Sequence, residues 1–149
     1  LRVIELIRMI KDMRQSESKE KDLIALFGLE PFLKKRLSTL SGGTQQKVNV
    51  VLAFMFDSPM VILDEPTTGL DPQAMIHLRG LIQQEKEKGK TILVTSHIMS
   101  FVEEIADEVI YLLEGKIYFK GSLSALHEKT GQTNLEHAIA AITSAKSHA

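Results

Sequence analysis

Short apolar runs alternate with longer amphipathic stretches in the second half of the chain, and this alternation constrains the fold more than any other feature. The apolar runs have strand length and cover residues 60–63, 91–95 and 109–113. Such runs are typical of strands covered on both faces. Strands that alternate with helices pair in parallel through right-handed crossovers. The sequence therefore predicts an α/β fold with a mostly parallel sheet flanked by helices.

Helical patterns surround these runs. We expect helices over residues 1–14, 22–27, 42–57, 72–88, 100–107, 122–129 and 135–145. Asp71 followed by Pro72 is a typical N-cap with proline at the first helical position. Glu114 and Gly115 predict a turn that pairs residues 116–120 antiparallel to the strand before it.

Composition excludes several classes of protein. A chain of 149 residues with 25% charged residues is typical of a single globular domain, and its net charge of −1 argues against nucleic-acid binding. There is no cysteine, so neither disulfides nor thiolate metal sites can form. The longest apolar run, residues 50–56, is far shorter than the roughly 20 residues of a membrane-spanning helix.

Ser41, Gly42 and Gly43 lead directly into one of the predicted helices. Backbone N–H groups and the positive end of the helix dipole make such a place an anion receptor, and glycines let a phosphate approach the backbone. The alternative is that Ser41 only caps the helix and the glycines loosen its start. The step by itself leaves both interpretations open.

Asp64 and Glu65 end the first predicted strand. Reactive groups in open parallel sheets gather at the carboxyl ends of strands. Because successive strand residues point to opposite sides, one carboxylate can hold a metal while the other orients or deprotonates a water molecule. The alternative is a pair of solvated acids. Pro66 and Gly69 indicate a fixed turn after them.

Three further residues need an interpretation. Asp71 is expected to cap the next helix, and His97 follows the second strand at the same end of the sheet as Asp64. A lone histidine there is more often a polar loop residue. The tripeptide 89–91 imitates the end of a P-loop, but the order helix, loop, strand is the reverse of a P-loop. Lys90 is therefore not a phosphate-binding lysine.

Together, in this order and spacing, the motifs resemble the ABC ATPase family. Residues 40–46 resemble its signature motif, residues 61–65 its Walker B strand, residues 68–71 its D-loop, and His97 its switch histidine. The form of residues 64–72 resembles transporter subunits in particular. The resemblance implies a partial P-loop NTPase fold with a helical subdomain and a C-terminal β-hairpin followed by helices.

The resemblance also implies roles for the site. It assigns Asp64 to Mg²⁺ through water, Glu65 to general base or water positioning, and His97 to the γ-phosphate of ATP. Asp71 belongs to the D-loop. The signature residues Ser41, Gly42 and Gly43 would contact ATP held by the opposite subunit of a head-to-tail dimer.

The resemblance further implies partners and a location. ATP and Mg²⁺ are the expected cofactors. A transmembrane permease and a second ATPase subunit are the expected partners, and nucleic acid is not one. The protein is expected to be cytoplasmic, peripheral on the cytoplasmic face of the cell membrane.

Two departures from the family pattern stand out. Thr44 occupies the position where the signature usually has glutamine, and the chain contains no Walker A motif, Q-loop or adenine-stacking aromatic residue. We therefore expect a C-terminal fragment that cannot hydrolyse ATP alone. Residues 1–40 would be part of the helical subdomain, 41–121 the C-terminal part of the catalytic core, and 122–149 a C-terminal helical extension.

A few residues indicate a sub-family, and two alternative functions remain open. Thr44, the short helical subdomain and residues 134–138 resemble exporters of the ABC-2 kind. One alternative is a stand-alone binding module that lends its signature motif in trans. Another is a non-transport ABC ATPase acting on DNA or the ribosome, which the neutral charge and the form of residues 67–71 disfavour. Unpaired sheet edges also predict self-association of the isolated chain.

Overall fold

The computed structural model describes residues 1–147, which form one unit from Leu1 to Ser96 and a second that starts at His97. The helices are α1 (Val3–Arg14), α2 (Glu20–Leu26), α3 (Gly42–Phe54), α4 (Pro72–Glu87), α5 (Met99–Ile105), α6 (Leu123–Thr130) and α7 (Leu135–Ser147). The strands are β1 (Met60–Asp64), β2 (Thr91–Thr95), β3 (Glu108–Leu113) and β4 (Lys116–Ser122). The predicted α/β class is confirmed. The three-part domain division stays a prediction.

Two short helices open the first unit. α1 buries Val3 and Ile7, and the N–H of Val3 donates to the carbonyl of Lys35 at 3.1 Å. α2 ends beside Gly28, whose φ of 61° lies in the left-handed region that favours glycine after a helix. Two turns of 3₁₀-helix, at Glu30–Phe32 and Leu37–Thr39, lead from there to α3.

α3 ends at Phe54, three residues before the end predicted from its apolar pattern. The physical reason is long-range pairing: the N–H of Lys19 donates to the carbonyl of Met55 at 2.7 Å, and Ser18 pairs with Phe56 as an isolated bridge. These contacts draw the backbone out of the helix although its sequence still favours one.

β1 and β2 pair in parallel, from Met60 opposite Thr91 to Asp64 opposite Thr95. α3 contacts β1 and α4 contacts β2. Val61 and Leu63 are buried, whereas Ile62 is 63% exposed. The expectation that this strand is covered on both faces is therefore wrong, because no element of the first unit covers the face that carries Ile62.

The second unit contains a hairpin and three helices. β3 pairs with β4 in antiparallel register through the predicted turn at Glu114 and Gly115, whose φ angles are 50° and 73°. Ser122 caps α6, as its sequence predicts, by accepting from the N–H of Ala125 at 3.1 Å. The core of this unit consists of apolar side chains from β4, α6 and α7: Phe119, Leu126, Leu135, Ala138, Ile139 and Ile142.

The third strand does not join a parallel sheet as expected. Among the described strands, β3 pairs with β4 alone. A turn of two residues brings β4 directly against β3, so this antiparallel pair forms between segments that are adjacent in the chain. Within residues 1–147, no helix is both long enough and apolar enough to cross a membrane.

Candidate functional site

The N-terminus of α3 carries the predicted anion receptor. Ser41 is the N-cap, and its hydroxyl oxygen accepts from the N–H of Thr44 at 3.2 Å. The two hydroxyl groups of Ser41 and Thr44 also share a hydrogen bond of 2.8 Å. Ser41 and Gly42 are exposed. Capping is therefore observed, and it leaves the start of the helix open to an anion from solvent.

The two glycines of this step have different surroundings. A Cβ atom added at Gly42 would meet nothing within 4 Å. At Gly43 it would overlap the carbonyl oxygen of Gly69, which lies in the loop after β1. Gly42 thus keeps the approach to the helix terminus open. Gly43 is needed for close contact between two backbone segments, a reason that the sequence pattern alone did not supply.

Asp64 and Glu65 lie at the carboxyl end of β1, next to the end of β2. The hydroxyl of Thr95 donates to Oδ1 of Asp64, and the N–H of Glu65 donates to the carbonyl of Thr95 at 3.1 Å. Glu65 has a φ of 45°, a left-handed conformation that is costly for a residue with a side chain. The backbone therefore leaves the sheet sharply at Glu65, and Asp64 remains an exposed carboxylate.

The loop from Glu65 to Asp71 is held by its own hydrogen bonds. The N–H of Thr68 donates to the carbonyl of Glu65 at 3.2 Å, and Gly69 adopts a φ of 72°. Asp71 caps α4, as predicted, because its Oδ1 accepts from the N–H of Ala74 at 2.9 Å. The fixed turn indicated by the sequence is present.

Asp64 and Thr95 offer oxygen atoms of the kind that Mg²⁺ prefers. No group of three or more acidic or histidine side chains that could hold a metal exists among the described residues. Asp64 would hold Mg²⁺ through water, since Mg²⁺ usually keeps several of its water ligands. The assignment of Asp64 to Mg²⁺ stays a prediction.

His97 begins the second unit and is exposed. It lines an open cleft of about 330 Å³ together with Glu103 of α5 and Asn134 before α7. Oε1 of Glu103 accepts from the N–H of Leu135 at 2.5 Å, which joins α5 to the start of α7. The proposed contact of His97 with a γ-phosphate stays a prediction.

Lys90 immediately precedes β2, whereas Asp64 is the last residue of β1, the parallel strand beside it. Its ammonium group pairs with the carboxylates of Glu85 and Asp57. Hydrogen bonds to Asp57 and then to Glu85 raise its pKa above the usual lysine value. These structural ion pairs agree with the exclusion of Lys90 as a phosphate-binding lysine.

Residues 5–103 match the family model described as "AAA domain, putative AbiEii toxin, Type IV TA system". The chain belongs to this AAA-domain family. The match contains α3, both parallel strands and the loop between Glu65 and Asp71.

Individual relatives refine this assignment. The ABC transporter ATP-binding protein NatA of Bacillus subtilis is 37% identical over 116 residues, which are 78% of this chain and 47% of NatA. The lantibiotic transport ATP-binding protein SrtF of Streptococcus pyogenes is 36% identical over 121 residues, 81% of this chain and 50% of SrtF. The AAA-domain chain thus spans about half the length of the curated relatives it matches.

A solved structure agrees with these similarities. The ATP-binding subunit of an ABC transporter superposes with a TM-score of 0.86 at 31% identity, covering 96% of this chain and 62% of that subunit. The resemblance to ABC transporter ATP-binding subunits, inferred from the motifs, is confirmed. The partial P-loop NTPase fold is confirmed with it.

Sequence reasoning missed two residues that contact the site. Gln46 donates through its side chain to the carbonyl of Glu65 at 3.3 Å, and Lys47 pairs with Asp71 at 2.5 Å. The sequence could have indicated them, because Gln46 and Lys47 follow Gly43 by three and four residues and therefore lie on the same face of the helix. Their partners could not be read from that spacing.

Proposed function

We propose that this AAA-domain chain is part of the ATP-hydrolysing subunit of a transporter. The observation that carries the proposal is the placement of two carboxylates, Asp64 and Glu65, at the carboxyl end of a parallel strand pair. The Gln46 side chain of α3 contacts the backbone of Glu65. The first residue of α3, Gly42, is exposed, and a Cβ atom added there would meet nothing within 4 Å. Relatives whose names state ATP binding and transport support the same function.

The proposed chemistry is phosphoryl transfer from ATP to water, which depends on positioning and charge neutralisation. Glu65 orients the attacking water and accepts its proton, while Asp64 takes part in holding Mg²⁺, which neutralises phosphate charge when bound. His97 contacts the γ-phosphate. Ser41, Gly42 and Gly43 contact the γ-phosphate of ATP held by a second, head-to-tail subunit.

The remaining parts of the proposal concern the assembly. A transmembrane permease is the membrane partner, and the subunit lies on the cytoplasmic face of the cell membrane. Thr44 and the sequence around residues 134–138 favour an exporter of the ABC-2 kind. The net charge of −1 supports the transport function over one in nucleic-acid binding.

The role of Glu65 can be tested in the full-length polypeptide that contains these 149 residues. Glu65→Gln is expected to keep ATP binding and to lower the hydrolysis rate by about 100-fold or more, because the amide cannot accept a proton. Phosphate release and nucleotide binding are the two measurements. The matched control is Glu87→Gln, at an exposed position of α4. Unchanged turnover in Glu65→Gln would contradict the assigned role.

The same assay addresses the 149-residue chain alone. It is expected to show no appreciable hydrolysis, because residues 1–149 contain no P-loop to hold the β- and γ-phosphates. Turnover by the purified chain that Glu65→Gln abolishes would contradict this part of the proposal.

A further inference from the structure

One face of α3 contacts the loop that runs from Glu65 to Asp71. The contacts come from Gly43, Gln46 and Lys47, whose spacing of three and four residues puts them on one side of the helix. We call this set the α3 clamp. It joins the helix whose N-terminus is the anion receptor to the loop that carries the proposed water-positioning carboxylate.

Within the α3 clamp, the two carboxylate oxygens of Asp71 have different partners. Oδ1 of Asp71 caps α4, whereas Oδ2 lies 2.5 Å from Nζ of Lys47. The side chains of Lys47 and Asp71 are 22% and 49% exposed. A pair of such exposure contributes little to stability, about 0–1 kcal/mol. Its effect is geometric, since it fixes where the loop ends relative to α3.

The other two contacts act on the middle and the start of the loop. The backbone of Gly43 lies so close to Gly69 that a single methyl group would overlap the Gly69 carbonyl oxygen. The side-chain amide of Gln46 donates to the carbonyl of Glu65 at 3.3 Å. Because Glu65 holds a costly left-handed conformation, its backbone needs contacts of this kind to remain in place.

We propose that Lys47 is a positioning residue for ATP hydrolysis: through Asp71 it holds the loop after β1 so that the Glu65 carboxylate keeps a fixed orientation. The proposal rests on the proposed function, since it assigns Lys47 an effect on that reaction. Reaction rates fall steeply when a reacting group is displaced by as little as about 1 Å, so loosening the loop affects the chemical step.

The first test measures steady-state hydrolysis in the full-length polypeptide that contains these residues. Lys47→Met is expected to lower kcat about 10-fold, because a displaced Glu65 carboxylate slows the chemical step. KM for ATP should remain nearly unchanged. Lys47→Arg is expected to restore most of kcat, since arginine retains the charge and the donors. Asp71→Asn keeps an N-cap but loses the ion pair, and should match Lys47→Met.

The double variant shows whether the two substitutions lower kcat through the same contact or through independent effects on the fold. Lys47→Met combined with Asp71→Asn is expected to be no slower than either single variant, because both remove the same contact. Multiplied effects would overturn the proposal. A raised KM with kcat unchanged would also overturn it, and so would failure of Lys47→Arg to rescue.

A second test needs no ATP. Hydrogen bonding from Lys47, and then from the N–H of Ala74, lowers the pKa of Asp71. NMR titration of the 149-residue chain should show this pKa raised in Lys47→Met and kept low in Lys47→Arg. The amide resonances of residues 65–69 should shift in the first variant only. Unchanged resonances and an unchanged Asp71 pKa would overturn the proposal whatever the hydrolysis rates.

The two proposals fail in different ways. If the wild-type full-length polypeptide hydrolyses ATP and Lys47→Met is equally fast, the positioning role is wrong and the proposed function stands. If the wild type does not hydrolyse ATP, the proposed function fails and the positioning role fails with it.

Discussion

Glu85 is a single buried carboxylate that connects several elements of the first unit through ion pairs. Its side chain is 7% exposed and lies beside the ammonium groups of Lys19, Lys88 and Lys90. Burial acts to raise its pKa, but hydrogen bonds from Lys88 and Lys90, with the charges of Lys19 and Lys90, lower it to about 2 from 4.5. The cluster therefore joins the residue before α2, the last turn of α4 and the residue before β2.

This pKa fixes the sign of a pH effect. A carboxyl group whose pKa is lowered by folding stabilises the fold above its unfolded pKa, and it loses that contribution as pH falls from about 4.5 to about 2. Glu85→Gln is expected to lower the free energy of unfolding at pH 7 by about 1–3 kcal/mol. Urea denaturation at pH 7, 5 and 3 should show the difference shrinking at pH 3.

Glu87→Gln is the matched control, because Glu87 is an exposed residue of the same helix. It should change stability little at any of the three pH values. An effect of Glu85→Gln that stays constant from pH 7 to pH 3 would contradict the lowered pKa.

At the scale of elements, only one of the two turn residues in the β3–β4 hairpin suits the backbone conformation that the turn requires. Both turn residues have positive φ, at 50° for Glu114 and 73° for Gly115. A two-residue turn of this kind favours Asn-Gly, since asparagine tolerates the left-handed region better than glutamate. The glutamate therefore costs the second unit some stability.

Glu114→Asn is expected to raise the free energy of unfolding by about 0.5–1 kcal/mol by relieving this cost. Thermal unfolding followed by circular dichroism is a suitable measurement. Glu114→Ala is the control: it removes the same carboxylate without gaining tolerance of positive φ, and should not stabilise. Equal stabilisation by both variants would show that charge, and not backbone conformation, is responsible.

At the scale of the whole molecule, exposed apolar side chains on the parallel strand pair predict self-association of the 149-residue chain. Ile62 and Leu93, paired in register, are 63% and 47% exposed, and Met60 lies on the same side of β1. Contiguous apolar patches of this kind mark surfaces that become covered. We therefore expect a dimer or larger oligomer when the chain is purified alone.

Replacing both Ile62 and Leu93 by threonine should weaken this association about 10-fold or more, because two half-exposed apolar side chains no longer gain from burial. Threonine keeps the strand preference of the segment. Light scattering over a dilution series measures the effect. Ile76→Thr, at an exposed apolar position of α4, is the control. A wild-type chain that stays monomeric would contradict the prediction.

Features that depend on residues close together in the chain can be predicted from the sequence. Asp71 and Ser122 cap helices, Gly28 follows one, and Glu114 with Gly115 forms a hairpin, each through contacts within a few residues. The apolar runs at β1 and β2 were found for the same reason. The candidate carboxylates, Asp64 and Glu65, could be predicted because the end of a parallel strand is a position defined by the strand itself.

Features that depend on residues far apart in the chain follow only from the tertiary structure. Four features join distant segments: the early end of α3 at Phe54, the contact of Gly43 with Gly69, the pair of Lys47 with Asp71 and the cluster around Glu85. Local patterns state which side of a helix a residue occupies, but not which segment packs against it. Packing selects that partner, because apolar burial and ion pairing act between surfaces that only the folded chain brings together.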